Sequence, residues 1–399
     1  MNILLTTISL DSRLGGGTAE RTRRLADHLR RQGHRCEVLA MQDGDLADTM
    51  RSQGIAVHVF RSYRLRFSIP LLRLSSLVRL VANADVIHVL GYWNLLSVAT
   101  TLTATWLGKP YALSAAGEFI GLENPRPIAR AFHRLFGQRM IRNAGLLIAI
   151  TALERRQIME RFGLAADTVV VVPNGVEEPT TPQDAESQAR RPVVLFVGRL
   201  AEVKGPDLLV EAFSSVAAEH PDVELVLAGP DFGMQSRLVS AIEAHGLSGR
   251  VRFTGHLGED GRTEAYRRAL LLVVPSRAEA MSLVALEAGI LGTPVLLTDR
   301  CGFDEVAAIG GGEVVPASVE GLREGLRAML ARRASLPAAG ERLRAYVMWN
   351  YAWPAIVKDL VKHFENLRVK PARRPRSGGR YQADEQDDSS AKRGAGTKG

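Results

Sequence analysis

The amino-acid sequence predicts an α/β protein built on two doubly wound parallel sheets. Three observations lead there. The chain has 399 residues, 46% hydrophobic and 24% charged, which is enough apolar material for two sizeable cores. Short apolar runs of strand length alternate with longer helical stretches, the pattern of parallel strands joined by crossover helices. The alternation stops at a polar segment, Glu177–Pro192, that carries three prolines, and then begins again.

Taken in order, Ile3–Ile8 reads as the first strand. The turn Gly15-Gly16-Gly17 follows it and opens a helix over Ala19–Arg31, with Leu25 and Leu29 spaced on one face. Val38–Ala40, Val57–Phe60, Val86–Leu90, Tyr111–Ser114 and Leu146–Thr151 supply further strands of the first half. After the break come a strand at Val193–Val197 and a helix from about Gly205 to Glu219. Strands follow at Val223–Ala228, Val251–Phe253, Leu271–Val274, Pro294–Leu297 and Gly312–Val315. Residues 318–366 read as helical, with Trp349, Tyr351 and Trp353 clustered. From Pro371 the chain is low in apolar residues and reads as disordered. The expected boundaries are a first domain over 1–176, a linker over 177–192, a second domain over 193–349, a C-terminal helix over 350–369 and a tail over 370–399. A cleft between the two domains is the simplest architecture.

Composition excludes a collagen, a disulfide scaffold and a coiled coil. Two cysteines, Cys36 and Cys301, give neither a disulfide framework nor a zinc spacing, which suits a reducing compartment. The apolar runs Gly145–Leu153 and Leu270–Pro275 are too short to span a bilayer. The first ten residues lack a basic stretch and a small-residue cleavage site, so they read as a strand, not a signal peptide.

The net charge of +8 is uneven. Residues 1–180 carry 22 Lys and Arg against 15 Asp and Glu, residues 181–369 carry 21 against 24, and the tail carries 8 against 4. A basic first half implies an anionic partner. Thr49–Ala84 contains Arg51, Arg61, Arg64, Arg66, Arg73 and Arg79 and no acid. Asn124–Leu153 is also free of acids, and Arg126, Arg130 and Arg134 recur at i, i+4 and i+8, which predicts one basic helix face. Basic segments with interleaved apolar residues suit an anionic membrane surface. Nucleic acid is not expected: no nucleic-acid motif appears and aromatics are only 6%.

Several short motifs carry chemistry. Gly15–Gly17 lets a ligand approach backbone at a helix N-terminus, although the spacing is not G-x-G-x-x-G and a plain tight turn reads as well. Arg199 and Lys204 stand in the loop after the Val193–Val197 strand, where open α/β sheets bind ligands. Arg grips phosphate with a planar fork and Lys as a point charge. Glu279 and Glu287 are eight residues apart, about 12 Å on a continuous helix. If the helix begins near Ser282, Glu279 sits in the loop and both carboxylates can meet one ligand. The amides of Ser282, Leu283 and Val284 would then face an anion, and Glu287 would accept from a diol. His88, on an apolar strand, reads as a core residue. Asp43-Gly44-Asp45 reads as a solvated turn, and no metal is expected.

The ordered series Gly15–Gly17, Val172-Pro173-Asn174-Gly175-Val176, Gly198-Arg199-Leu200, Lys204-Gly205, Ala228-Gly229-Pro230-Asp231, Phe253-Thr254-Gly255, Pro275-Ser276, Glu279-x7-Glu287, Gly292-x-Pro294-Val295 and Gly302-x-x-Glu305 resembles the retaining glycosyltransferases of family 4, which have the GT-B fold. The resemblance extends to about residue 366. It implies that the second domain binds a nucleotide-sugar, UDP- or GDP-linked, as substrate with no cofactor. By the same resemblance Arg199 and Lys204 contact the diphosphate, Glu287 the ribose hydroxyls and Glu279 the donor sugar. His256-Leu257 lies by the base, and Gly16-Gly17 closes on the phosphates. Glu279, Arg199 and Lys204 would carry the catalysis. The C-terminal helix would cross back to the first domain. Many relatives carry His or Arg where this chain has Ala116, and the nearby Glu118 is a substitute polar contact. Trp93, Asn94 and Glu118 are the acceptor-side candidates.

The expected activity is transfer of a hexose to a lipid-linked or polysaccharide acceptor in surface exopolysaccharide or lipopolysaccharide assembly. The expected location is cytoplasmic, peripheral at the inner membrane face. Two other readings stand beside it. A sugar-nucleotide epimerase on the same scaffold would need no acceptor. A non-catalytic nucleotide-sugar-binding partner subunit would bind without turnover.

Overall fold

The computed structural model describes residues 1–12, 14–60, 62–64, 68–70, 74–115, 117–122, 126–177 and 192–369. Residues 178–191 of the expected linker over 177–192, the tail from 370 and Ala116 lie outside the described residues, as do Arg61, Arg66 and Arg73. The chain divides into two compact units. Unit 1 is Met1–Pro173 with the chain from Val357 onward, and unit 2 is Asn174–Ile356.

Unit 1 begins with β1 (Asn2–Ser9), α1 (Gly16–Arg31), β2 (Arg35–Gln42), α2 (Asp45–Ser52) and β3 (Ala56–Val59). A short antiparallel hairpin, β4 (Ser62–Arg64) and β5 (Ser68–Pro70), leads to α3 (Leu74–Asn83), β6 (Val86–Leu90), α4 (Leu95–Trp106) and β7 (Tyr111–Ser114). Then come α5 (Pro127–Phe132), α6 (Gln138–Asn143), β8 (Leu146–Ala149), α7 (Ala152–Phe162) and β9 (Val169–Val171). Seven strands pair in the order β3-β2-β1-β6-β7-β8-β9, all parallel. The order reverses between β1 and β6, the point at which open α/β sheets bind ligands at the carboxyl ends of their strands. Leu4, Leu39, Ile87, Leu113 and Leu147 fill the core on one face.

Unit 2 runs β10 (Val193–Val197), α8 (Pro206–Val216), β11 (Glu224–Ala228), α9 (Gln235–Ala244), β12 (Val251–Gly255), α10 (Glu259–Arg268) and β13 (Leu271–Val274). It continues with α11 (Leu283–Ile290), β14 (Val295–Thr298), α12 (Glu305–Ala308), β15 (Gly312–Val315), α13 (Val319–Ala331) and α14 (Leu336–Tyr351). Six parallel strands pair as β12-β11-β10-β13-β14-β15, with the reversal between β10 and β13. Every core position of β13 and β14 is buried, as parallel strands covered on both faces require.

Local chemistry places the helices. Asn94, Thr151, Ser282 and Ser318 cap α4, α7, α11 and α13 by accepting a first-turn amide. Pro206 starts α8 directly after Gly205, whose φ of +66° an L side chain resists. The last helix, α15 (Trp353–Val369), changes unit along its length. The amide of Val176 donates to Tyr351 (2.8 Å) and that of Trp353 to Val176 (3.2 Å), which ties Asn174–Val176 to the start of α15 in unit 2. Beyond Ile356 the helix belongs to unit 1. Its Phe364 meets the ring of His88 edge-on, with centroids 5.6 Å apart, and Leu367 packs where a side chain on Gly145 would stand.

Three details differ from expectation. The run Val169–Val171 is a strand, β9, that the sequence reading left out. The helix expected from Ala19 begins earlier, at Gly16. The stretch that bears Arg126, Arg130 and Arg134 is not one regular α-helix. Arg126 precedes α5 as its cap, and His133–Gly137 is a wider π turn between α5 and α6. The Tyr92 hydroxyl, hydrogen-bonded to His133 Nδ1 at 2.5 Å, occupies the space beside Gly137 in this turn. All three arginines are exposed nonetheless.

Candidate functional site

The site residues of unit 2 gather where its strand order reverses. After β10 the chain runs Gly198-Arg199-Leu200, zipped to the loop after β11. The Leu200 amide donates to Pro230 (2.9 Å) and the Phe232 amide to Leu200 (3.1 Å). Gly229, at φ +147°, lies against the Gly198 carbonyl where no Cβ fits. Arg199 is exposed, and its guanidinium lies 5.2 Å from the centroid of the Phe232 ring. Phe232 is itself 57% exposed, so this ring serves no core. A cation over an aromatic face gains about 0.5–1 kcal/mol at such a site, and the ring limits where the guanidinium can swing.

A single 3-10 turn, Glu202–Lys204, then presents Lys204. Its Nζ is ion-paired with Oε1 of Glu279 in the loop after β13, 75 residues on. Backbone joins the same two loops: the Arg277 amide donates to Val203 at 2.8 Å. The Arg277 guanidinium completes the splint with two bonds to Asp207, 2.8 and 2.7 Å, and one to the Glu202 carbonyl, 2.6 Å. Burial would raise the Asp207 carboxyl, but this paired guanidinium holds it below its usual range. Glu279 is nearly enclosed, and its Oε2 has no hydrogen-bond partner among the described residues. A buried carboxylate oxygen left open in this way is costly unless a ligand meets it.

Ser282 caps α11 with its hydroxyl on the Ala285 amide (3.4 Å), so helix begins at Leu283 and Glu279 stays in the loop. The first-turn amides of α11 have no carbonyl four residues back and suit an anion. One turn further, Glu287 is half-buried in an otherwise apolar helix and accepts the Tyr266 hydroxyl from α10 at 2.9 Å. Arg199, Lys204, Glu279, Ser282, Leu283, Val284 and Glu287 thus follow two adjacent strands, β10 and β13. His256, exposed, and Leu257, partly buried, follow the edge strand β12 two strands away, joined to the Arg199 side through the Gly229 amide on Gly255 (2.8 Å).

In unit 1 the glycine turn sits at the carboxyl end of β1. Gly15 makes the tight approach, 3.0 Å from two backbone oxygens if it bore a Cβ, whereas Gly16 and Gly17 face open space. The acceptor-side candidates prove to be committed inside unit 1. Gly91, at φ +109°, turns the chain after β6 and leaves the amides of Tyr92 and Trp93 without strand partners. Oε2 of Glu118 accepts both, at 2.5 and 3.2 Å, and Trp93 Nε1 donates to the Glu118 carbonyl at 2.9 Å. Burial raises the Glu118 carboxyl despite those amides. Asn94 is buried as the cap of α4. Glu118 therefore braces the turn after β6.

The other expectations in unit 1 resolve into structure. His88 is fully buried with Nε2 on Ser114 Oγ at 2.9 Å, and burial together with the Arg21 charge pushes its imidazole down to about 3. Arg21 is buried too, donating to the Val172 and Pro173 carbonyls at 2.8 Å. Asp43 pairs with Arg51, and Asp45 accepts the Ser12 amide at 2.8 Å.

With that geometry in place, comparison with known proteins is informative. Two family descriptions match in tandem: glycosyl transferase 4-like domain over residues 16–175 and glycosyl transferases group 1 over residues 177–345. The chain belongs to the group 1 glycosyltransferases. It is 33% identical over 272 residues to a D-inositol 3-phosphate glycosyltransferase of Geodermatophilus obscurus, covering 63% of this chain and 59% of that one. It is 29% identical over 220 residues to a glycogen synthase of Mycobacterium tuberculosis, 54% of this chain and 53% of that one. The chain thus spans a little over half the length of these curated relatives. Among solved structures, Anabaena Alr3699/HepE in complex with UDP and glucose superposes with a TM-score of 0.73 at 20% identity, covering 92% of this chain and all of that one. WaaG, a glycosyltransferase involved in lipopolysaccharide biosynthesis, gives 0.65 at 18% identity over the same 92%. These likenesses show the fold, the GT-B fold of family members.

Tyr266, Phe232 and the Arg277–Asp207 pair are not singled out by the sequence. Phe232 had a signal, a large aromatic directly after the Gly229-Pro230-Asp231 turn. Tyr266 had none, because its partner is on another helix.

Proposed function

We propose that this chain is a retaining glycosyltransferase that moves a hexose from a UDP- or GDP-linked donor to a lipid-linked or polysaccharide acceptor in surface-glycan assembly. The reading rests on the Lys204–Glu279 pair, which brings the cationic turn after β10 and the carboxylate loop after β13 to one place. In the reaction the bond from the sugar anomeric carbon to the diphosphate breaks and one to the acceptor oxygen forms on the same face. The acceptor proton leaves on the departing phosphate oxygen. Arg199, Lys204 and the first amides of α11 meet the negative charge that grows on the diphosphate, a stabilisation that needs no metal ion. Glu279 stands by the sugar and Glu287 by the ribose hydroxyls, with His256-Leu257 near the base. The Anabaena neighbour that holds UDP and glucose supports a nucleotide-sugar donor, and WaaG supports a surface-glycan setting.

A basic, apolar-studded unit 1 supports placement at an anionic membrane face. Leu102 and Trp106 on α4 are exposed at 44% and 75%, and Leu74, Ile128 and Leu135 are exposed on neighbouring segments. Arg79, Arg126, Arg130 and Arg134 are exposed among them. Among the described residues no helix is long and apolar enough to cross a membrane. Co-sedimentation with phosphatidylcholine vesicles, with and without phosphatidylglycerol, tests this: binding should need the anionic lipid, and indifference to it overturns the placement.

The donor reading is tested by thermal shift with UDP, GDP, ADP and CMP on wild type, Lys204→Ala and Glu287→Ala. A nucleotide at 100 times its Kd stabilises by about 2.7 kcal/mol. One nucleotide should stabilise wild type and neither variant. A wild type indifferent to all four, with or without the sugar attached, overturns the reading. Turnover without an acceptor would favour the epimerase, and binding without turnover the non-catalytic subunit.

A further inference from the structure

We infer that Tyr266 is a positioning residue that sets the plane of the Glu287 carboxylate and so sharpens the site's preference for a ribose diol. The inference rests on the donor reading above.

Tyr266 is 2% exposed, on α10, a helix whose other residues are mostly polar and at least partly exposed. A buried phenol must find a partner, and this one donates to Oε2 of Glu287 at 2.9 Å across the α10–α11 contact. The main chain that carries the ring is anchored as well. Thr293 Oγ1, itself buried, donates to the Tyr266 carbonyl at 2.7 Å. The hydroxyl is thus delivered from a fixed point.

The consequence lies on Glu287. Its neighbours Leu283, Val284, Leu286, Ala288 and Ile290 offer no hydrogen bond, so the Tyr266 hydroxyl is the one side-chain donor to this carboxylate among the described residues. The bond occupies one lone pair of Oε2 and stops rotation about the last side-chain torsion. Oε1 and the remaining lone pair of Oε2 are then presented in a fixed plane. Two adjacent hydroxyls of a ribose can donate to such a carboxylate together, whereas a freely rotating one must first be ordered. The phenol stays protonated throughout, because burial and the adjacent carboxylate push its pKa well above the usual tyrosine range. It therefore acts as a fixed donor, not as an acid.

The test is isothermal titration of the full chain with UDP and GDP and with their 2′,3′-dideoxy forms. Wild type should prefer the ribose form of its nucleotide by about tenfold or more, the worth of hydrogen bonds to a charged group. Tyr266→Phe, which removes one oxygen, should weaken the ribose form about three- to tenfold and leave the dideoxy form unchanged. Glu287→Gln should erase most of the preference, and adding Tyr266→Phe to it should change little more. Glu287→Asp keeps the charge but draws it out of reach of the hydroxyl, and should lose the preference as well; it serves if Tyr266→Phe does not fold. Full retention of the ribose preference in Tyr266→Phe overturns the inference. Equal weakening of both forms also overturns it, since that is the mark of a merely structural tyrosine. If wild type binds no nucleoside diphosphate, the donor reading itself has failed, and the two failures are told apart.

Discussion

Gly205 is the point at which sterics of the unit 2 site can be measured. Its φ is +66°, and a Cβ there would lie 3.0 Å from the carbonyl carbon of Pro275 and closer still to its oxygen. Gly246, after α9, has a φ of +67° and nothing within 4 Å of an added Cβ. Gly246→Ala therefore costs only the left-handed conformation, about 1–2 kcal/mol. Gly205→Ala costs that and also a clash between two backbones, which cannot be relieved by a side-chain turn. Ordinary contact requires the Lys204 turn and the Pro275 strand end to separate by on the order of 1 Å, at the overpacking cost of roughly 1–3 kcal/mol more. Lys204 would move away from Glu279, and a shift of that size in a catalytic constellation costs on the order of 100-fold. Denaturant unfolding of both variants, with UDP and GDP titration, makes the comparison. Gly205→Ala should be the less stable by roughly 1–3 kcal/mol and should alone lose nucleotide binding. Equal stability and equal affinity in the two alanine variants would refute the close-approach argument.

Further outcomes follow from the same geometry. His88 stays neutral in the folded chain down to about pH 3, while an unfolded imidazole protonates near 6.5. Its contribution to stability is whole above pH 6.5 and falls as pH drops, by about 2 kcal/mol between pH 7.5 and 5.0. Hydrogen exchange of the β1 and β6 amides should show that loss in wild type and a flatter profile in His88→Gln; identical slopes would count against it. Phe232→Leu should weaken UDP or GDP binding about two- to fivefold by freeing Arg199, read by titration, without lowering the melting temperature. Gly175→Ala would set a methyl 2.5 Å from the Trp353 ring and should cost roughly 1–3 kcal/mol, seen as an altered Trp353 environment in fluorescence.

Buried parallel strands were the most legible part of the sequence. Val193–Val197, an unbroken apolar run between Pro192 and Gly198, and Leu271–Val274, an apolar run that ends at Pro275, have the limits the sequence predicts. Val169–Val171 was not legible, because three residues before Pro173 resemble the end of a loop. The π turn at His133–Gly137 was not legible, because periodicity assumes a regular helix, whereas the Tyr92 hydroxyl that meets His133 comes from 41 residues away. Arg199, Lys204 and Glu279 stand in loops directly after strands and Glu287 in the helix that follows, positions that local spacing makes legible. The residues that brace them could not. Arg277 reaches Asp207 across 70 residues and Tyr266 reaches Glu287 across 21, and side-chain pairing at that range leaves no trace in a single sequence. The bracing role of Glu118 left no trace for a related reason: it satisfies two backbone amides, and a backbone deficit has no residue code.

The switch of α15 from one unit to the other governs how the protein is made. Leu360, Phe364 and Leu367 are buried in unit 1, yet they are among the last described residues to be synthesised. Unit 2 has its entire chain available once Ile356 has emerged, while unit 1, begun first, must wait with an unfinished face beside His88 and Gly145. A premature stop before α15 would therefore damage chiefly the half of the molecule encoded at the opposite end of the message. A fragment ending at Pro173 would emerge with the His88 side of its sheet uncovered, prone to hold on to chaperones and to other copies of itself.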